Sequence, residues 1–194
     1  MKSEEIENLK KYLPIFQEKT NIIEGAKKSD ILIITGDTGC GKSTQVPQYL
    51  RELDPRMKIG ITQPRRIAAI ALANRVSKEC GTVLGSDVGY DVRFDSNQTS
   101  ETKLLFMTEG ILLRKFLDEN SISTFSILII DEAHERSVNC DIILALLKNF
   151  ARKNLKVVIM SATLEAKRFF EYYASDGFRV ESIRVSGRYY PIEV

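Results

Sequence analysis

Short apolar runs alternate along this chain with longer stretches of helical periodicity. Five runs are apolar almost throughout rather than at every second position: residues 31–35, 58–62, 103–107, 126–130 and 156–160. A continuous apolar run of this length is the pattern of a strand buried on both faces of a parallel sheet. A sixth run, 178–185, is less regular. Helical spacing is predicted over 42–51, 67–80, 110–117, 141–151 and 166–173, with two earlier helices over 4–12 and 15–25. Leu144, Leu146 and Leu147 are assigned to the core face of the fourth of these. Strand and helix in alternation specify an α/β fold, an open, mostly parallel sheet with helices on both faces. Such sheets bind ligands beyond the C-terminal ends of their strands.

Composition narrows the class. The chain has 194 residues, 43% of them hydrophobic and 28% charged, which suits one large domain with its own core. Its net charge of +2 is too small to predict nucleic-acid binding from bulk charge, so any basic surface must come from local placement. Cys40, Cys80 and Cys140 are scattered and form no CxxC pair, against both a disulfide framework and a zinc site. They fit a reducing compartment, so an intracellular location, nucleus or cytoplasm, is expected. The charged start MKSEEIENLKKYL has no apolar signal core, and no membrane partner is expected. His134 is the single histidine, which excludes a histidine-rich metal site.

Chemistry enters at residues 36–43, GDTGCGKS, directly after an apolar strand and before a helix. This is the P-loop pattern G-x-x-x-x-G-K-[ST] in its required context. Gly36, Gly39 and Gly41 let the backbone curl until successive N–H groups face one anion. Thr38 and Cys40 complete the loop, Cys40 as a small space-filler. The helix that follows adds free N–H groups and a partial positive charge. Lys42 is placed to meet the β- and γ-phosphates, Ser43 to offer a hydroxyl to Mg²⁺, and Thr44 to lend a second donor. The loop is therefore expected to hold a nucleoside triphosphate with Mg²⁺.

A second cluster closes the strand at 126–130, where SILII runs into DEAH. Asp131 is placed to hold Mg²⁺, and Glu132 to orient the attacking water. Phosphoryl transfer asks the protein for metal ligands, cationic clamps and a positioned nucleophile. His134 lies two positions on and is read as coupling nucleotide state to its neighbours rather than as a proton carrier. Glu135 and Arg136 are candidates for ion pairs across the cleft. Arg65 and Arg66 open a helix, where cations oppose the macrodipole, so phosphate contact is a reason for their presence. Ser161 and Thr163 follow the last central strand, as links to the acidic cluster or as N-caps of the next helix.

Taken together, the motifs resemble the DEAH-box family of RNA helicases. DEAHERS (131–137) resembles that family's second motif, GDTGCGKSTQVPQYL its extended P-loop, TQPRRIAA (62–69) motif Ia and MTEGILLR (107–114) motif Ib. VGYDVRFD (88–95) is similar to a family signature, SAT (161–163) to motif III, and GRYYPIEV to the lead into a second RecA-like domain. The likeness runs from about Leu13 to the end. It implies a RecA-like P-loop NTPase fold and a motor coupling NTP hydrolysis to remodelling of RNA. It implies that Arg75 stacks on the nucleotide base, so that NTPs besides ATP are accepted, since a guanidinium plane suits any base. It implies that Arg65, Arg66, Thr108 and Gly110 hold the RNA backbone, mainly of single strands and independently of sequence. Arg93 and Phe94 are candidates for RNA contact or for locking a hairpin to the core.

The organisation expected is a helical lead-in over 1–25, a RecA-like ATP-binding domain over 26–186, and the start of a linker over 187–194. A motor of this family needs a second RecA-like domain, which supplies arginines worth on the order of 10³–10⁵ in rate. The expected partners are RNA, that second domain and protein activators. Alone, the chain is expected to bind nucleotide weakly and hydrolyse it barely. Two other classes compete, a regulatory module that binds without turnover and a P-loop hydrolase acting away from nucleic acid. Arg65, Arg66 and the MTEG segment weigh against the second of these.

Overall fold

The computed structural model describes residues 3–153, 155–162 and 166–186. Thr163 and the proposed linker at 187–194 lie outside the described residues. Eight strands form one sheet: β1 (Ile31–Gly36), β2 (Ile59–Gln63), β3 (Val88–Val92), β4 (Asp95–Asn97), β5 (Leu104–Thr108), β6 (Ile127–Ile130), β7 (Lys156–Ser161) and β8 (Val180–Val185). Their spatial order is β4-β3-β5-β2-β6-β7-β1-β8. Every neighbouring pair is parallel except β3 with β4, which form an antiparallel hairpin.

The continuous apolar runs have the predicted consequence. β1, β2 and β6 are buried at every position, because successive side chains enter opposite faces and both faces are covered. Leu32 and Ile34 of β1 join Ile59, Ile61, Phe106 and Met160 in one core layer. Ile31 and Ile33 join Leu105, Leu128, Ile130 and Ile159 in the other. Helices α2 (Lys19–Lys28), α3 (Lys42–Arg51) and α4 (Arg66–Glu79) supply the first layer. Helices α5 (Glu109–Phe116), α6 (Glu119–Ser123), α7 (Val138–Ala151) and α8 (Ala166–Ala174) supply the second. Leu144 and Leu147 are buried there, and Leu146 is half-buried.

Before β1, α1 (Ser3–Lys11) is followed by a 3-10 turn over Pro14–Glu18 and then α2, so the single helix expected over 15–25 is divided. Pro14 begins the turn, where its missing N–H costs nothing. Ile15 and Ile22 are fully buried in the first core layer, and the Ile15 N–H donates to the Cys40 carbonyl of the phosphate loop at 3.1 Å. Helix α7 starts three residues earlier than its apolar periodicity suggests, because Ser137 caps it by accepting the Cys140 N–H at 2.9 Å. The hairpin corrects the core-locking alternative for Phe94. Phe94 occupies the hairpin tip with φ 66° and is 88% exposed.

Sheet order lays the motifs in a row. Along the C-terminal edge, in sequence, stand the β3 end with Arg93, the β5 end with Thr108, and the β2 end with Arg65. Next come the β6 end with Asp131, the β7 end with Ser161, and the β1 end with the glycine-rich loop. Adjacent strands are about 4.8 Å apart, so the six ends span roughly 24 Å.

Candidate functional site

The glycine-rich loop joins β1 to α3. Gly39 and Gly41 take φ of 82° and 101°, a region that side-chain-bearing residues seldom adopt. A Cβ on Gly41 would also lie 2.8 Å from the Ile15 side chain. The loop is thus pressed against the 3-10 turn and cannot tolerate a larger residue there. Cys40 is buried, its sulfur 3.2 Å from where a Cβ on Gly36 would sit, as a space-filler requires. Lys42 runs back into the loop: its Nζ donates to the Gly36 carbonyl at 2.6 Å and the Asp37 carbonyl at 3.0 Å. The Thr44 hydroxyl donates to the Gly41 carbonyl at 3.3 Å, inside the first helical turn.

Ser43 and Asp131 meet, although they leave strands separated by β7. The Ser43 side chain lies near enough to the Asp131 carboxyl to lower its pKa as a hydrogen-bonding neighbour. Gln63, at the end of β2, donates to Asp131 Oδ2 at 2.5 Å, and the Glu132 N–H donates to Oδ1 at 2.9 Å. Asp131 is 1% exposed. Burial pushes its carboxyl up to about 6 and the neighbouring Glu132 charge adds to the rise, while the bonds from Ser43, Gln63 and the Glu132 N–H oppose it.

The sign of the linked stability effect follows from that direction. A carboxyl whose pKa is higher folded than unfolded binds more protons in the folded state. Its stabilising contribution is therefore complete below about 4 and lost as pH rises through about 6. For the metal-free chain, lowering the pH from 7 to 5 should raise the stability of the parent relative to Asp131→Asn by on the order of 1 kcal/mol. Paired urea melts at the two pH values measure this difference, and a gap that does not change with pH contradicts the burial argument.

The segment after Asp131 is sharply bent. Glu132 and Arg136 both have positive φ, 55° and 49°, at the two ends of a 3-10 turn over Ala133–Glu135. Non-glycine residues in this region store on the order of 1–3 kcal/mol each and persist only where surrounding contacts hold them. Those contacts are visible. The Ala162 N–H donates to His134 Nδ1 at 3.2 Å, so Nδ1 is unprotonated and the ring carries its proton on Nε2. Nε2 lies 3.3 Å from Glu132 Oε2, within reach of a hydrogen bond that holds the carboxylate. Glu135 reaches Arg65 at 3.4 Å across β2 and β6. Ser137 donates to Glu109 Oε2 at 2.5 Å, joining the acidic segment to the start of α5. Arg136, just before α7, pairs with Asp141 in that helix's first turn at 2.8 Å.

A cleft of about 280 Å³ gathers Gly39, Gly41, Lys42, Ser43, Thr44 and Glu132, with Thr38 and Leu13 at its margin and Arg75 and Glu79 on the far wall. The candidates divide cleanly between two zones. Of those for the nucleotide, Thr38, Gly39, Gly41, Lys42, Ser43, Thr44, Arg75 and Glu132 line this cleft, while Gly36, Cys40, Asp131 and His134 lie outside its lining. Arg65, Arg66, Arg93 and Gly110 are exposed along the other half of the sheet edge, and Thr108 is half-buried there. The Arg93 guanidinium stacks over the exposed Phe94 ring, 4.7 Å from its centroid. Within the SAT segment, the Ala162 backbone N–H links the end of the last central strand to the acidic segment through His134. Gln63 and Glu109 lie inside TQPRRIAA and MTEGILLR but are not singled out there, and Glu79 lies outside the quoted motifs. Glu79 carries one local signal, its four-residue spacing from Arg75 on a predicted helix.

A glycine-rich loop opening a helix, with a metal-competent hydroxyl and carboxylate beside it on a parallel sheet, defines a RecA-like P-loop nucleotide-binding domain. The sequence profile described as DEAD/DEAH box helicase matches residues 14–170. The chain belongs to that family. It is 46% identical, over 194 aligned positions, to the probable ATP-dependent RNA helicase DHX35 homolog of Caenorhabditis elegans, covering 94% of this chain and 26% of that protein. The chain thus spans about a quarter of the length of that curated relative. No helix among the described residues is long and apolar enough to cross a membrane.

Proposed function

We propose that this chain is the first RecA-like domain, over residues 26–186, of an ATP-driven RNA helicase, hydrolysing nucleoside triphosphate against a second RecA-like domain to move on single-stranded RNA. The contact between the Ser43 hydroxyl and the Asp131 carboxylate carries this reading. It joins two motifs far apart in the chain at the point where a magnesium triphosphate needs both. Magnesium keeps several water and phosphate ligands and asks the protein for only one or two groups. One hydroxyl and one buried carboxylate fit that demand. Among the described residues no cluster of three His, Cys, Asp or Glu side chains offers a fuller cage. Bound magnesium would neutralise charge on the phosphate oxygens.

The protein's own groups then have separate tasks. Loop N–H groups and the α3 N-terminus bind the phosphates, and Lys42 exchanges its carbonyl partners for phosphate oxygens. Glu132, held by His134 Nε2, orients the attacking water. His134 ties that carboxylate to the β7 end through Ala162, and Ser161 and Thr163 flank this coupling point. Arg75 stacks on the base. Arg65, Arg66, Arg93, Thr108 and Gly110 follow the RNA backbone, and Glu135–Arg65 and Ser137–Glu109 connect that track to the acidic segment. The relative's description as an ATP-dependent RNA helicase supports ATP and RNA as the ligands. A second domain is needed for turnover, so the isolated chain binds nucleotide weakly and hydrolyses it barely. Protein activators and an intracellular site, nucleus or cytoplasm, complete the reading.

The test uses a protein carrying both RecA-like domains. Single-stranded RNA should stimulate ATP hydrolysis. Replacing Arg65 and Arg66 by Ala should weaken RNA binding equally for all sequences and reduce the salt slope by about 0.7 for each phosphate of the single strand that is no longer neutralised. Hydrolysis indifferent to RNA would instead indicate a P-loop hydrolase of another substrate.

A further inference from the structure

Glu79, the last residue of α4, is nearly buried, its side chain 5% exposed, at the wall of the nucleotide cleft. Three donors converge on it. Arg75 Nε donates to Oε1 at 2.6 Å, and the amides of Gln45 and Gln48 each donate to Oε2 at 2.8 Å. The orientation of the Gln48 amide is fixed independently: its oxygen accepts from Lys10 Nζ at 3.1 Å, so its nitrogen faces Glu79. Burial alone would raise the Glu79 carboxyl, but the hydrogen bonds from Gln48, Arg75 and Gln45 outweigh it and hold the group below the usual carboxylate range. Gln45 and Gln48 belong to α3, whose N-terminus is the phosphate loop. Gln45 also donates to the Thr44 hydroxyl at 3.1 Å.

This is unlike an exposed ion pair at four-residue spacing, which is screened and worth a few tenths of a kcal/mol. The carboxylate side chain is 5% exposed and accepts from three donors, whereas Arg75 is 55% exposed and lines the cleft. An unanchored guanidinium loses rotamer freedom when it stacks on a ligand; one held in advance along its Nε edge loses less.

We infer that Glu79 is the positioning residue of the base platform, holding the Arg75 guanidinium in the cleft while Gln45 and Gln48 tie that platform to the phosphate-loop helix. The inference rests on the reading of Arg75 as the base-stacking residue. Loss of Glu79 then weakens recognition of the base while recognition of the phosphates survives.

Binding of ADP and of inorganic tripolyphosphate, each with magnesium, is compared by calorimetry for the 194-residue chain and its variants. Glu79→Gln should weaken ADP roughly tenfold, a change of about 1.4 kcal/mol, and leave tripolyphosphate within about twofold. Arg75→Ala should show the same split, and the double variant should add little to either. Equal loss of both ligands in Glu79→Gln means a purely structural role and overturns the inference, as does unchanged ADP binding. If Arg75→Ala itself leaves the ratio of the two affinities unchanged, the base-stacking reading fails and the inference with it. If Arg75→Ala shows the split and Glu79→Gln does not, only the inference fails. Should Glu79→Gln not fold, Glu79→Asp takes its place: it keeps the charge but withdraws it from Arg75, and the same split is expected.

Discussion

In a protein carrying both RecA-like domains, Glu132→Gln should lower the rate of ATP hydrolysis by about 10²–10⁴-fold, the range of a positioned general base. Nucleotide affinity should change little. The reason lies in how Glu132 is held. Its carboxylate lies 3.3 Å from His134 Nε2, which holds it. Glutamine keeps the shape and accepts the same histidine proton through its amide oxygen, but it cannot draw a proton from water. Single-turnover hydrolysis and equilibrium binding separate the two effects. A variant that hydrolyses normally would remove Glu132 from the reaction, and one that fails to bind nucleotide would make it part of the magnesium site.

Lys42→Ala should be the most damaging change to binding. A hydrogen bond to a charged group contributes about 1.5–3 kcal/mol, and Lys42 is placed to make more than one to a triphosphate, so affinity should fall at least about 10²-fold. The same change carries a structural cost. Lys42 Nζ donates to the Gly36 carbonyl at 2.6 Å and the Asp37 carbonyl at 3.0 Å, and its removal leaves these acceptors at the loop without that partner. A loss of about 1–3 kcal/mol in stability of the ligand-free chain should accompany the loss of affinity. Calorimetric titration with ATP and a urea melt measure the two quantities separately. Lys42→Ala binding ATP as tightly as the parent would remove the loop from the site.

The two charged clusters could be read directly because each sits where an apolar strand stops. Strands buried on both faces announce themselves as unbroken runs, and in a parallel sheet their ends are the ligand edge. What the sequence withheld depends on neighbours rather than on local pattern. β3 mixes Tyr90 and Asp91 into its run and β4 is wholly exposed, so neither carries the signature of a buried strand. Gln63 reaches Asp131 only because β2 lies beside β6 with Thr62 opposite Ile130. That adjacency joins segments distant along the chain, and no periodicity encodes it. The Ala162 contact to His134 is made by a backbone N–H, which has no side-chain letter to read. Phe94 was the reverse case: its apolar ring favours locking the hairpin to the core over contact with RNA, and only the turn at the hairpin tip, which leaves it 88% exposed, excludes that.

The hydrogen bond from Ile15 to Cys40 gives the opening residues a role that their distance from the catalytic letters conceals. Ile15 and Leu13 form a floor beneath Gly41, so the curl of the loop is set from outside as well as by its own glycines. A shortened version of the protein beginning after Ile15 would keep every signature residue and lose the surface on which the anion-binding loop is moulded. The smallest unit able to grip a nucleotide therefore begins upstream of the first recognisable motif.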